Sequence, residues 1–184
     1  MAVPMKYRST GRGLPPAARP EHALPLRLWL DRSGGMYEDE ATVVAARVLA
    51  GAPGQLVQVV EFTHQVSSPL RVRVPEASDD LVPALWAELE ASRSLEPQGT
   101  DLSLVLSVVA TLPTGFDDVV VTDLHVPPPA PGDRVSASMR FAVPAYAWDD
   151  RLVAAFLAAW PQQGGPYPAV ERVEHHPPSE RTAP

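Results

Sequence analysis

A chain of 184 residues that is 45% hydrophobic and 20% charged holds enough apolar material for a real core, so wholesale disorder is excluded. The absence of Cys rules out disulfides and thiolate metal sites. A net charge of -7 argues against a general nucleic-acid binder, which needs a basic face to neutralise phosphates.

The length suits one domain or two small, closely packed halves. Ile and Asn are absent, Lys6 is the only Lys, and Arg carries nearly all the positive charge. That bias marks a GC-rich coding sequence and leads us to expect a bacterial origin.

Residues 1–23 read as a disordered leader. Pro4, Pro15, Pro16 and Pro20 interrupt it, with Gly11 and Gly13. It has no apolar h-region of a secretory signal, and no run approaches membrane-spanning length, so a cytoplasmic protein is expected. Lys6, Arg8, Arg12 and Arg19 make this leader basic and leave the folded part more acidic than the whole.

Leu26, Leu28 and Leu30 alternate with Arg27 and Trp29, the period of a strand. Asp31 to Gly35 reads as a turn. Ser33, Gly34 and Gly35 ahead of a helix suggest a phosphate loop, but the acidic run Glu38 to Glu40 would repel phosphate and no Lys follows. Tyr37 to Ala50 reads as a helix, ended by Gly51, Pro53 and Gly54.

Leu56 to His64 is Val-rich and carries Phe62, which suits a strand. Leu70, Val72 and Val74 alternate with Arg71 and Arg73 and form a second strand, joined to the first by a hairpin through Gln65 to Pro69. After Pro75, Ser78 is the expected N-cap of a helix whose apolar face is Leu81, Val82, Leu85, Trp86 and Leu89. Pro97 and Gly99 punctuate a seam.

Leu102 to Leu112 is apolar enough to fit either a helix or a buried strand. Thr100 and Asp101 offer caps, and correspondence with Glu40 to Leu49 favours the helix. Val119 to Val126 reads as a strand. So does the stretch in which Val135, Ala137, Met139, Phe141 and Val143 alternate with smaller or polar residues. Trp148, Asp149 and Asp150 open a helix with the apolar face Leu152, Val153, Phe156, Leu157 and Trp160. Residues 163–184 read as a disordered tail.

The order helix–strand–strand–helix thus recurs. Glu40 to His64 lies against Asp101 to His125 without a gap, and His64 then meets His125. The expected fold is α+β: two related halves, about 24–95 and 96–162, in one globular domain at 24–162. Each half reads as helix–strand–strand–helix, with an extra N-terminal strand. The sheet is mixed or antiparallel, with helices packed on it.

No catalytic constellation or cofactor motif emerges, and no cofactor is expected. The Asp79–Asp80 and Asp149–Asp150 pairs are explained by helix starts, and Asp117–Asp118 by a turn. No Gly-x-Ser-x-Gly elbow occurs. His64 and His125, with Asp123 as a third group, are the pocket candidates, although structural zinc asks for four ligands and catalytic zinc for three. Trp29 beside Arg27, and Trp148, are candidate interface anchors, while Trp29 covering a helix of its own chain is the alternative.

These features point to a non-enzymatic binding, assembly or adaptor protein, with another protein or a second copy of itself as partner. The alternative is a small enzyme or ligand-binding protein using His64 and His125 at the junction of the halves.

Overall fold

The computed structural model describes residues 24–36, 38–112, 115–126, 139–160 and 168–174. The protein is α+β, and its described residues form a mixed six-stranded sheet and four α-helices. In chain order these are β1 (Leu26–Asp31), α1 (Glu38–Ala50), β2 (Leu56–Phe62), β3 (Leu70–Arg73), α2 (Leu81–Ala91), α3 (Leu102–Thr111), β4 (Asp117–Val121), β5 (Arg140–Pro144), α4 (Asp150–Ala159) and β6 (Ala169–Val173). A short 3-10 turn, Ala145–Ala147, precedes α4.

The strands lie in the order β3-β2-β1-β4-β5-β6. All neighbours pair parallel except β2 and β3, which form the expected antiparallel hairpin. Helices cover both faces. One core gathers Leu26, Leu28 and Leu30 with Val57, Val59, Val72 and Val74 under α1 and α2. The other gathers Trp29, Val60, Phe62, Val120, Phe141 and Val143 under α3 and α4.

The strand at the centre of a parallel sheet is dry on both sides, and all six residues of β1 are buried. This corrects the expectation for Trp29 and Arg27. Trp29 has no exposed surface and Arg27 is 2% exposed, so neither anchors a partner. The Trp29 indole Nε1 donates to Asp118 Oδ1 at 2.9 Å, and the Arg27 guanidinium donates to both oxygens of the same carboxylate. Asp118 therefore lies inside β4, with Asp117, and not in the expected turn. Trp148 is half-buried, packs against the second core and donates to Asp150 Oδ1.

The apolar run at 102–112 is a helix. Asp101 caps it by accepting from Leu104 N, as Asp149 caps α4 by accepting from Arg151 N and Leu152 N. Ser78 does not cap α2: Asp80 holds the N-cap position, and its side chain does not cap the helix. Pro83 falls in the first turn of α2, where its missing N–H costs nothing.

The expected tail at 163–184 is corrected where it contains β6, which pairs parallel with β5 over five residues. The basic leader at 1–23 and most of the expected strand before Met139 fall outside the described residues.

Helix–strand–strand–helix occurs twice in chain order. The pairing does not repeat, however: β2 and β3 are an antiparallel hairpin, whereas β4 and β5 are parallel. The first and second helix pairs also pack on opposite faces. Element order alone does not establish a duplication.

Candidate functional site

Strand order reverses between β1 and β4, since the chain leaves β1 for β2 on one side and later returns to β4 on the other. In an open parallel sheet, ligands bind at the carboxyl ends of the strands at such a reversal, because the loops there diverge. The loops in question follow Asp31, the last residue of β1, and Val121, the last of β4.

Asp31 is completely buried, and no cation among the described residues pairs with it. Its Oδ1 accepts from Ser33 N at 2.8 Å and from the Thr100 hydroxyl at 2.9 Å, and its Oδ2 accepts from the Thr122 hydroxyl at 2.7 Å. Burial pushes the Asp31 carboxyl above its ordinary value, and the hydrogen bonds from Thr122, Ser33 and Thr100 only partly offset this. The loop is held in place by its backbone. Ser33 bridges Gln98, Gly34 N donates to Gln98 O, and Asp101 N donates to Thr63 O.

Asp123 stands beside this network and is 3% exposed. Its Oδ1 accepts from His125 N at 2.8 Å, and its Oδ2 lies 3.5 Å from His125 Nδ1. A Cβ placed on Gly35 would meet Asp123 Oδ2 at 2.6 Å, so a glycine lets the β1 loop close against this carboxylate. Leu124, next in the chain, holds a positive φ of 63° with its side chain 2% exposed. A bulky residue in that region is strained and persists only where its surroundings impose it.

Another buried carboxylate sits one strand away from Asp31. Glu61 precedes the last residue of β2 and receives Arg32 Nε at 2.8 Å on Oε1. Ser94 N, Ser94 Oγ and Leu95 N all donate to its Oε2. Burial raises the Glu61 carboxyl, but the Ser94 hydrogen bonds and the Arg32 charge together outweigh it and hold it below its ordinary value. Arg32 also donates to Thr42, whose hydroxyl donates to Glu90. This group locks β1, β2, α1 and α2 together.

His64 and His125 follow β2 and β4 and are both exposed. β1 lies between those strands, which places their ends about 10 Å apart at the usual strand spacing. Among the described residues the two imidazoles share no hydrogen bond or ion pair, and Asp123 lies beside His125 and not beside His64.

The sequence reading missed Asp31, Ser33, Thr100 and Thr122. The available signal was Asp31-x-Ser33 at the end of an apolar strand, with a Thr-Asp step before one helix and another after one strand. The chemistry of the set is hard oxygen: two carboxylates, Asp31 and Asp123, with the hydroxyls of Ser33 and Thr100. A hydroxyl that donates its proton to Asp31 keeps its lone pairs for a cation. Such donors fit Mg²⁺, Ca²⁺ or Mn²⁺ and not a thiophilic metal. No three His, Asp or Glu side chains converge among the described residues, in keeping with a set half made of hydroxyls.

No protein-family model matches the sequence, and no curated protein matches it. Three solved structures are similar in part. One is an aerotolerance-related membrane protein from Bacteroides fragilis, at 21% identity and a TM-score of 0.42 over 66% of this chain and 67% of that one. Another is a von Willebrand factor type A protein from Catenulispora acidiphila, at 15% identity and a TM-score of 0.44 over 82% of this chain but only 39% of that one. The third is the conserved hypothetical protein BatB from Bacteroides thetaiotaomicron, at 13% identity and a TM-score of 0.47 over 84% and 92%. None shares enough sequence to carry a residue's role across. Among the described residues, no helix of this chain is long and apolar enough to cross a membrane.

Proposed function

We propose that this chain is a non-enzymatic protein-binding module whose binding face is the carboxyl edge of the sheet at β1 and β4. Asp31, Ser33, Thr100 and Asp123 would hold a hard divalent cation there, with Mg²⁺ the leading choice. The observation that carries this reading is Asp31: a fully buried carboxylate at the reversal of strand order, satisfied by hydroxyls and a backbone amide and by no cation among the described residues. A cation bound there would offer an electrophilic position to an oxygen ligand of the partner.

The protein's own residues do the rest. Thr122 and the Ser33 amide orient Asp31, Gly35 makes room for Asp123, and the Ser33–Gln98 bridge fixes the loop that presents Ser33 and Thr100. The exposed His125 stands at the rim beside Asp123 and is a partner-contact candidate. Nothing in the cluster is arranged as a nucleophile with its base, which favours binding over catalysis.

Titration with Mn²⁺, followed by the loss of free-ion EPR signal, tests the site. We expect one saturable site in the wild type, lost in both Asp31→Ala and Asp123→Ala. Equal Mn²⁺ uptake by all three proteins would refute the assignment.

A further inference from the structure

The strand order leaves β3 at one edge of the sheet. Val74 N donates to Gln55 O and Val74 O accepts from Gly54 N, so Val74 turns its backbone toward β2. By the alternation of an antiparallel pair, Val72 does the same, and Arg71 and Arg73 turn their N–H and C=O groups outward. No described residue pairs with those outward groups.

The side chains alternate as well. Val72 and Val74 are buried under α1 and α2, whereas Arg71 and Arg73 are exposed on the other face. There they stand opposite Gln58 and Leu56. The helices of that face take Val60 and Phe62 from β2 and nothing from β3. Leu56 is left 48% exposed. At the start of β3 a cleft of about 430 Å³ lies between the hairpin and the end of α2, with Val59, Pro69, Leu70, Leu89 and Leu95 as its apolar lining and Glu61 and four serines around them.

We infer that β3 is a strand-addition edge for an extended segment of another protein that is acidic at alternate positions. Its backbone pairs with Arg71 and Arg73. Its acidic side chains meet the two guanidinium groups, and an apolar side chain on its other face enters the cleft beside Leu70. Main-chain pairing supplies affinity in this mode and alternate side chains supply specificity.

Charged residues on a short edge strand also serve simply to prevent pairing. The exposed Leu56 and the apolar cleft at the head of the same strand argue for an occupant. A second copy of this chain is a poor one, because antiparallel pairing of β3 with itself sets Arg against Arg. This surface is independent of the cation site.

The test uses the full chain, labelled with ¹⁵N, and a short synthetic peptide of alternating glutamate and valine. The peptide should slow amide exchange at Arg71 and Arg73. Arg71→Glu combined with Arg73→Glu should weaken binding by about tenfold or more, since charge-assisted hydrogen bonds become repulsions. Arg71→Pro removes one outward N–H at an edge position that tolerates proline, so it should abolish binding with an unchanged melting temperature. Three results would overturn the inference: equal binding of a lysine–valine peptide, no peptide-dependent protection at Arg71 and Arg73, or protection that arises from self-association without peptide.

Discussion

Asp31 and Glu61 lie near the carboxyl ends of neighbouring parallel strands, and both are buried, yet their surroundings push them in opposite directions. Glu61 has Arg32 on one oxygen and three donors from Ser94 and Leu95 on the other, and its proton is held less tightly than usual. Asp31 has two hydroxyls and one amide, and its proton is held more tightly. A buried carboxylate with its cation built in is a fastener. One satisfied only by neutral donors keeps an unmet demand for positive charge, and that demand is what a ligand can supply.

The largest break in this comparison is Arg32→Ala. It leaves Glu61 buried without its cation and should cost about 3–5 kcal/mol, read as the shift in urea midpoint. Glu61→Gln keeps the shape but puts an amide where the donors of Ser94 and Leu95 converge, at a cost of about 1–3 kcal/mol. Asp31→Ala removes the acceptor of three donors but also relieves a buried charge. In cation-free buffer its cost should be the smallest, about 1 kcal/mol.

The pH dependence sharpens the contrast. Glu61, lowered from 4.5, contributes stability above that value, and the contribution is lost as the pH falls through its folded value. Asp31, raised from 3.8, contributes stability below that value, and the contribution is lost as the pH rises through its folded value. Stability measured across the acid range should therefore fall less steeply toward low pH in Glu61→Gln than in wild type. In Asp31→Ala the fall should be steeper.

Much of the scaffold was legible from local pattern. The alternation of Leu70, Val72 and Val74 gave β3 its buried face, and Asp101 and Asp149 marked two helix starts. Three features were not legible. β6 is short, buries none of its five residues fully and depends on β5 for its pairing. Trp29 and Arg27 resembled an exposed pair because the second helix layer, which buries them, comes from distant sequence. The site was hidden for the same reason. Asp31 and Thr122 are 91 residues apart, and only the sheet order brings them together. In isolation, Asp31 to Gly35 is a turn and Asp123 an afterthought to His125.

Thermal melting with and without Mg²⁺ tests the cation assignment most directly. Wild type and Glu61→Gln should both gain stability on adding Mg²⁺ and lose it on adding EDTA. The gain should approach about 2.7 kcal/mol when Mg²⁺ reaches about 100 times its Kd. Asp31→Ala and Asp123→Ala should show no gain. A gain of the same size in Asp31→Ala, or none in wild type, would contradict the assignment of Asp31 as the ligand-seeking member of the pair.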